Sequence, residues 1–556
     1  LGGDSISAIS LCAALRRRGA LLRPRDIFER RSVARMAKAL ELKSDAAPAE
    51  TLATNEISEA ELDALRERFG PIAAVLPALP LQEGLLFHAR LGEQASRYNA
   101  ISRFDFEGTL DVERLKDALE MLLRRHPQLA AIFDVHQGAA LQILPLLDEG
   151  SSLRHWPWKR CNLDACDEEQ QVGELDRLER AELDQDFLGA EAQERMMAQA
   201  TLVRLAGDRH VLLICSHHLI GDGWSSTIML RELLGAYAGY ALPPLTPDYQ
   251  TVVRRLASRD PAPARLAWRE ALQGVTPTLL FEDVKRFGAI HELPLNLRPG
   301  FLEELEALRR SRGLTLNTLM QGVWGAFLST MTGRSDIVFG SPMSGRSEAI
   351  EGVDAHIGLF TNTLPVRLRL RPDQPLLEQL ANVQQRQIRL LEHDGVGLGE
   401  IQRLCGVSNL FDTLLVVENY PEDAKLFAAD FGGLRCVGAR NRGYTHYPLT
   451  LMVLPGRELE LRLEYREGVK EPERIARRVT KLLEQIVDRP DAPLSAMDVL
   501  LTDERDLLAR VNTTKVANHP STLCELLADQ AQCTPDAIAL VDGDHALSYR
   551  EVRRQV

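Results

Sequence analysis

The densest group of residues able to move a proton is Val211-Leu-Leu-Ile-Cys-Ser-His-His-Leu-Ile-Gly-Asp-Gly-Trp-Ser225. A neutral imidazole accepts a proton near neutral pH and gives it back, so His217 and His218 are candidates for acid–base work. Both rings could equally be hydrogen-bonded structural histidines, and these residues alone leave the two readings open. Strand side chains alternate, putting Ser216 and His218 on one face and His217 on the other. If the strand runs through the pair, at most one ring reaches a cleft while its neighbour packs beneath. Asp222, between Gly221 and Gly223, is an imidazole-orienting carboxylate or a turn residue. The favoured reading is a structural carboxylate whose charge meets a distant arginine. Ser225 or Ser226 is expected to cap the helix that follows.

A second group is Leu1-Gly-Gly-Asp-Ser-Ile6. A phosphate ester on the Ser5 hydroxyl would lie against unpaired backbone N–H groups at the positive end of a helix. A plain helix cap fits the same residues. Other chemistries find little support. There is no GxSxG elbow, HExxH pair or GxxxxGK[ST] loop. Gly395-Val-Gly-Leu-Gly399 reads as a loop. His155, Cys161 and Cys166 have no usual zinc spacing, so no metal is expected.

The elements that must position these groups mix without strict βαβ alternation, which favours α+β layers. Expected strands include Ser102–Phe106, Thr201–Leu205, Val211–Ser216, Ile337–Gly340, Leu364–Leu370 and Leu459–Tyr465. Expected helices include Val112–Arg125, Ser226–Tyr240, Leu302–Arg312, Asn317–Met331 and Leu376–Leu391. Residues 1–43 hold two helical stretches, Ser5–Arg18 and Ser32–Leu42. They carry too little apolar content for an independent core, so they read as part of a domain. Residues 44–70 read as a linker. The body from 71 to 510, about 440 residues, exceeds one ordinary core. Proline-rich Leu242–Pro247 divides it into 71–245 and 246–510. Residues 511–556 hold a linker and the opening of a new helix–strand pattern.

The chain has 556 residues, with 66 Lys+Arg against 79 Asp+Glu and a formal charge of −13. That balance offers no basic stripe for a phosphate backbone, so no nucleic-acid partner is expected. No run nears the ~18 apolar residues of a spanning helix, and no charged-then-apolar leader follows Leu1, so no membrane is expected either. Eight scattered cysteines read as free thiols in a reducing cytoplasm.

His217-His218-Leu-Ile-Gly-Asp222-Gly223 resembles the HHxxxDG motif of condensation domains from nonribosomal peptide synthetases. The resemblance extends through Leu79-Pro-Leu-Gln82-Glu-Gly-Leu-Leu-Phe-His88 and Arg125-His126-Pro127-Gln-Leu-Ala-Ala-Ile-Phe133. It continues through Ile357-Gly-Leu-Phe-Thr-Asn362-Thr-Leu-Pro-Val-Arg367 and Phe411-Asp-Thr-Leu-Leu-Val-Val-Glu-Asn-Tyr-Pro421, in the family's order. Leu1–Leu42 resembles the second half of a peptidyl carrier domain, with Ser5 at the position that takes 4′-phosphopantetheine. Thr522–Val556, with Cys533-Thr-Pro-Asp-Ala-Ile-Ala-Leu540 and Leu547-Ser-Tyr-Arg-Glu551, resembles the start of an adenylation domain.

The resemblance implies two lobes of chloramphenicol-acetyltransferase type forming a V around a central tunnel, preceded by a partial helical carrier domain. It implies peptide-bond formation between an upstream aminoacyl or peptidyl thioester and the amine of a downstream one, each held on a carrier domain. His218 would face the tunnel, as base or as orienting group, with His217 in support. Asp222 would make a structural ion pair, with Arg346 as candidate partner. Gly223 would allow close backbone approach, and Trp224 and Asn362 would support the wall. The Leu79–His88 segment is more similar to domains taking a donor that ends in a D-residue. A dual epimerisation/condensation domain is the alternative, although His88-Ala-Arg-Leu-Gly-Glu lacks that subtype's extra double histidine. A non-catalytic docking member of the fold is a further alternative.

Overall fold

In the computed structural model, the described residues are 57–91, 98–148, 153, 155–188, 196–281, 284, 289–346, 350–419, 424–456, 458–515 and 521–556. In the N-terminal segment they are 8, 11, 12, 14, 15, 18–22, 26, 27, 30 and 32–42. Residues 1–499 and 500–556 form two compact units. Among the described residues, no helix is long and apolar enough to cross a membrane.

Among the described residues, the two largest of four apolar clusters organise the first unit. The earlier one surrounds a five-stranded sheet ordered Leu434–Gly443, Asn99–Gly108, Arg209–His217, Ala198–Arg204, Trp158–Asn162. Three of its four pairings are antiparallel, and only the last is parallel. Its central strand is buried from Val211 to Cys215, which is why an unbroken apolar run sits there. Helix Val112–Arg125 spaces Leu115, Leu119, Leu122 and Leu123 along one buried face and packs against helix Gly223–Tyr237. The later core lies under a six-stranded sheet ordered Ile290–Leu295, Glu460–Arg466, Leu449–Leu454, Thr413–Val417, Asp336–Met343, Asn362–Arg369. This is the mixed α+β architecture expected.

Several expectations need amendment. Within residues 44–70, expected as linker, Glu59–Phe69 is helical, because Ser58 and Glu61 cap each other's backbone N–H groups. The stretch Ser32–Leu42 is helical only over Val33–Ala37, and Glu41–Leu42 pairs instead with Ala20–Leu21. Leu434–Gly443 lies beyond Leu242–Pro247 in sequence yet completes the first sheet against Asn99–Gly108. The two halves of the sequence are therefore interleaved rather than merely joined. Arg442 fastens this crossing, reaching Asp176 at 3.1 Å on the first side and Glu292 at 2.9 Å on the second.

The second unit holds helices Thr502–Val511, Leu523–Cys533 and Tyr549–Gln555, with a hairpin of Ile538–Asp542 and His545–Ser548.

Candidate functional site

Strand Arg209–His217 brings the residue that follows it, His218, but not His217, to a cavity of about 1850 Å³ lined from both sheets. His217 ends the strand with its ring fully buried, its Nδ1 accepting the Leu219 N–H at 3.1 Å. Burial, aided by neighbouring His218, pushes its pKa down to about 3, so it stays neutral. The His218 N–H still bonds the Tyr98 carbonyl at 2.8 Å, extending the ladder by one residue before the chain winds into a short 3₁₀ turn. Alternation then puts Ser216 and His218 together on the cavity wall.

The His218 ring is half-buried, with Nδ1 3.4 Å from the Gly221 carbonyl. A carbonyl only accepts, so this contact favours a proton on Nδ1 and a free lone pair on Nε2. Burial lowers the imidazole's pKa from its ordinary value, opposed by the Gly221 carbonyl and the Asp222 charge. A small-residue row makes the space around this ring. Gly443 is registered with Ala100, and Ala100 with Ser216, across three strands. A Cβ at Gly443 would sit 3.1 Å from His218 Nε2 and 3.2 Å from the Ala100 methyl.

Asp222 points away from the imidazole. It caps helix Gly223–Tyr237, which therefore starts three residues before the expected Ser226, with aspartate rather than serine as cap. Its Oδ1 accepts from the Ser225 N–H at 2.9 Å, the Ser225 hydroxyl at 2.7 Å and Arg346 Nη2 at 2.8 Å. Its Oδ2 accepts from the Phe360 and Thr361 N–H groups at 3.2 and 3.3 Å. Burial raises the carboxyl's pKa, but the Arg346 charge and the Ser225 bonds outweigh it, leaving the group below its ordinary value. Arg346 is 1% exposed and also donates to the Val353 and His356 carbonyls at 2.9 Å each. Its guanidinium lies 4.6 Å from the Phe360 ring centre and 5.4 Å from that of Trp224. Gly345, at φ +61, permits this approach, since a Cβ there would meet the Phe360 carbonyl oxygen at 1.7 Å.

The remaining sequence-predicted residues divide between wall and frame. Gly223 lines the cavity at the first turn of its helix. Trp224 is buried, its Nε1 donating to the Asp354 carbonyl at 3.2 Å. Asn362 lines the cavity and holds the facing loop through the Asp394 and Val396 carbonyls at 2.8 and 2.9 Å. Ser5 lies outside the described residues. Sequence reasoning missed Gly443, because nothing in Arg442-Gly-Tyr444 marks a glycine as facing a histidine. It also missed Ser225 as a hub, whose Oγ accepts the Gly358 N–H at 3.0 Å while donating to Asp222. Gln82 lies in one of the family-like segments, where its residue type alone signals no task. It receives the Leu79 N–H and donates to the Leu219 carbonyl, bracing the turn after His218.

Residues 72–509 match the family model "Condensation domain", and residues 1–40 match "Phosphopantetheine attachment site". Vanchrobactin synthetase VabF of Vibrio anguillarum is 42% identical over 495 residues, 88% of this chain and 17% of that relative. Tyrocidine synthase 2 of Brevibacillus parabrevis is 28% identical over 492 residues, 85% of this chain and 13% of that relative. The chain thus spans a small part of each. The first condensation domain of the calcium-dependent antibiotic synthetase, in complex with a substrate analogue, superposes with a TM-score of 0.65 at 20% identity. That match covers 77% of this chain and all of the other. The X-domain from teicoplanin biosynthesis gives 0.62 at 22% identity, over 76% of this chain and 97% of the other.

Proposed function

The chain belongs to the condensation-domain family, and on that premise we propose that it joins two carrier-bound residues through a new amide bond. The donor is an aminoacyl or peptidyl thioester on an upstream carrier, and the acceptor is the amine of an aminoacyl thioester on a downstream one. The observation that carries this reading is the half-buried His218 ring on the wall of a chamber lined from both sheets. Ser5, inside the segment matching a phosphopantetheine attachment site, is the residue we assign to the covalent arm. Residues 511–556 we assign to a linker and the start of an adenylation domain, and the reaction to the cytoplasm.

A thioester is already activated, so the protein must chiefly hold the amine at attacking distance. Such positioning is worth up to about 7–11 kcal/mol in favourable cases. As the amine nitrogen bonds to the thioester carbon, it acquires positive charge and must shed a proton. Nε2 of His218 takes that proton while Nδ1 stays on the Gly221 carbonyl. The carbon–sulfur bond then breaks, and the departing thiolate recovers the proton from the imidazolium. The lowered pKa keeps the ring in its accepting form at neutral pH, and it favours return of the proton. Asp222 and Arg346 act by fixing the helix start that frames the turn.

Gly443→Val supplies a local check. Its methyl groups would enter the space beside Nε2, and coupling should fall about 100-fold by misplacement of the reacting groups. The contact with the Ala100 methyl should also lower the melting temperature, so rates are compared at a temperature where both proteins are fully folded. A variant coupling at the wild-type rate would remove the Gly443 side from the path of the amine.

The Leu79–His88 segment supports a D-configured donor end joined to an L-acceptor. The deciding experiment charges donor carriers with L- or D-epimers, offers one L-acceptor and measures chirality in the product. Product from the D-donor alone fits the proposal. An L-donor appearing as D in the product indicates a dual domain, and an L-donor incorporated unchanged overturns the stereochemical assignment.

A further inference from the structure

Two carboxylates on the wall of the same chamber, Glu418 and Glu464, take no part in amide formation. Glu418 follows strand Thr413–Val417, and Glu464 lies in strand Glu460–Arg466, registered against Thr450 and Glu292. Leu461 and Leu463 turn into the later core, so alternation sends Glu464 the other way, onto the cavity wall beside Met452. Glu464 is only 6% exposed, yet its carboxylate makes no hydrogen bond or ion pair with any described residue. The cation felt by both groups, Arg462, is held by Glu460 at 2.6 Å and Glu292 at 3.4 Å. Burying a carboxylate without a partner is costly, and Glu418 adds a second acidic group on the same cavity wall, two strands away in the same sheet. Burial, reinforced by Glu292 and Glu418, raises Glu464 to about 8. Burial raises Glu418 to about 7, partly opposed by Arg462. A cation seated beside Glu464 would relieve its penalty, with the Glu418 charge adding to the negative potential of that wall. Arg442, the other cation that Glu464 feels, is held by Glu292 and Asp176 and lies 5.8 Å from the Tyr444 ring centre.

We propose that Glu464 and Glu418 form a binding corner for the ammonium or guanidinium side chain of one of the two residues being joined. This assignment rests on the coupling function above and adds a substrate class to it. The corner acts on the side chain, not on the reacting amine, so it governs which substrate is held and leaves the bond-forming step to His218.

The test offers the whole chain N-acetylcysteamine thioesters in two arms. One arm pairs a neutral donor with a lysyl or norleucyl acceptor. The other pairs a lysyl-ended or norleucyl-ended donor with a neutral acceptor. In one arm the lysyl substrate should couple at least about tenfold faster than its uncharged counterpart, and the responding arm tells which residue carries the charge. Glu464→Gln should collapse that ratio towards one, and Glu418→Gln should reduce it. Equal wild-type rates in both arms, or a ratio untouched by Glu464→Gln, overturns the corner while leaving amide formation intact. If no arm yields product, the coupling proposal fails by itself. Equilibrium dialysis of the lysyl and norleucyl thioesters then decides the corner. Tighter lysyl retention that Glu464→Gln abolishes sustains it, and equal retention refutes it.

Discussion

Replacing Asp222 by alanine is expected to cost about 3–5 kcal/mol of stability, the usual consequence of leaving one member of a buried ion pair behind. Arg346 would remain 1% exposed with its charge unmatched, and the helix from Gly223 would lose its cap. Two backbone donors, Phe360 and Thr361, would lose their acceptor as well. Urea unfolding of Asp222→Ala checks this directly. A wild-type midpoint with lost activity would show that the carboxylate acts on the chemistry instead. Pairing the change with Arg346→Met should recover part of the loss, because removal of both charges abolishes the stranded one. The pH dependence has a definite sign. A carboxyl whose pKa is lower in the folded state contributes its full stabilisation above the ordinary range. It loses that contribution as pH falls through the depressed value.

His218→Ala is expected to reduce coupling by about 10²–10⁴-fold, the usual worth of a positioned proton acceptor. Its ring is half-buried and its one hydrogen bond to a described residue is 3.4 Å long, so the melting temperature should barely move. His217→Ala would behave in the opposite way, since that ring is fully enclosed and braces the Leu219 N–H. The pKa of His218 is lowered, so the proton-accepting form persists below pH 6.5, the ordinary histidine value. The acid limb of the wild-type rate profile attributable to this ring should therefore lie under 6.5. A limb above that value would mean that the ring is stabilised as a cation.

Regular, well-buried elements were legible from sequence because one physical signal dominated each. Val112–Arg125 has a helical stripe of leucines and an Asp111 cap, and its expected bounds match those observed. Val211–Ser216 is an apolar run that burial on both faces requires. Leu434–Gly443 was not legible. It is an edge strand with exposed arginines and two glycines, broken by a bulge between Cys436 and Gly438. Its strand character comes from its partner Asn99–Gly108 rather than from its own side chains. The start of the site helix was misread for a related reason. Serine and aspartate both cap helices, and what selects Asp222 is Arg346, 124 residues away. His218 could be picked out by residue type and alternation. Gly443 and Glu464 could not, because their significance lies in what faces them across the chamber.

The His218 imidazole serves amide formation between two thioester-bound residues. That role is tested most directly by the mass and hydroxylamine resistance of the acceptor product formed by wild type and His218→Ala. The wild type should add the donor acyl group through a bond that hydroxylamine leaves intact, and the folded variant should do so at least about 100 times more slowly. Equal rates, or an adduct that hydroxylamine releases, would contradict it.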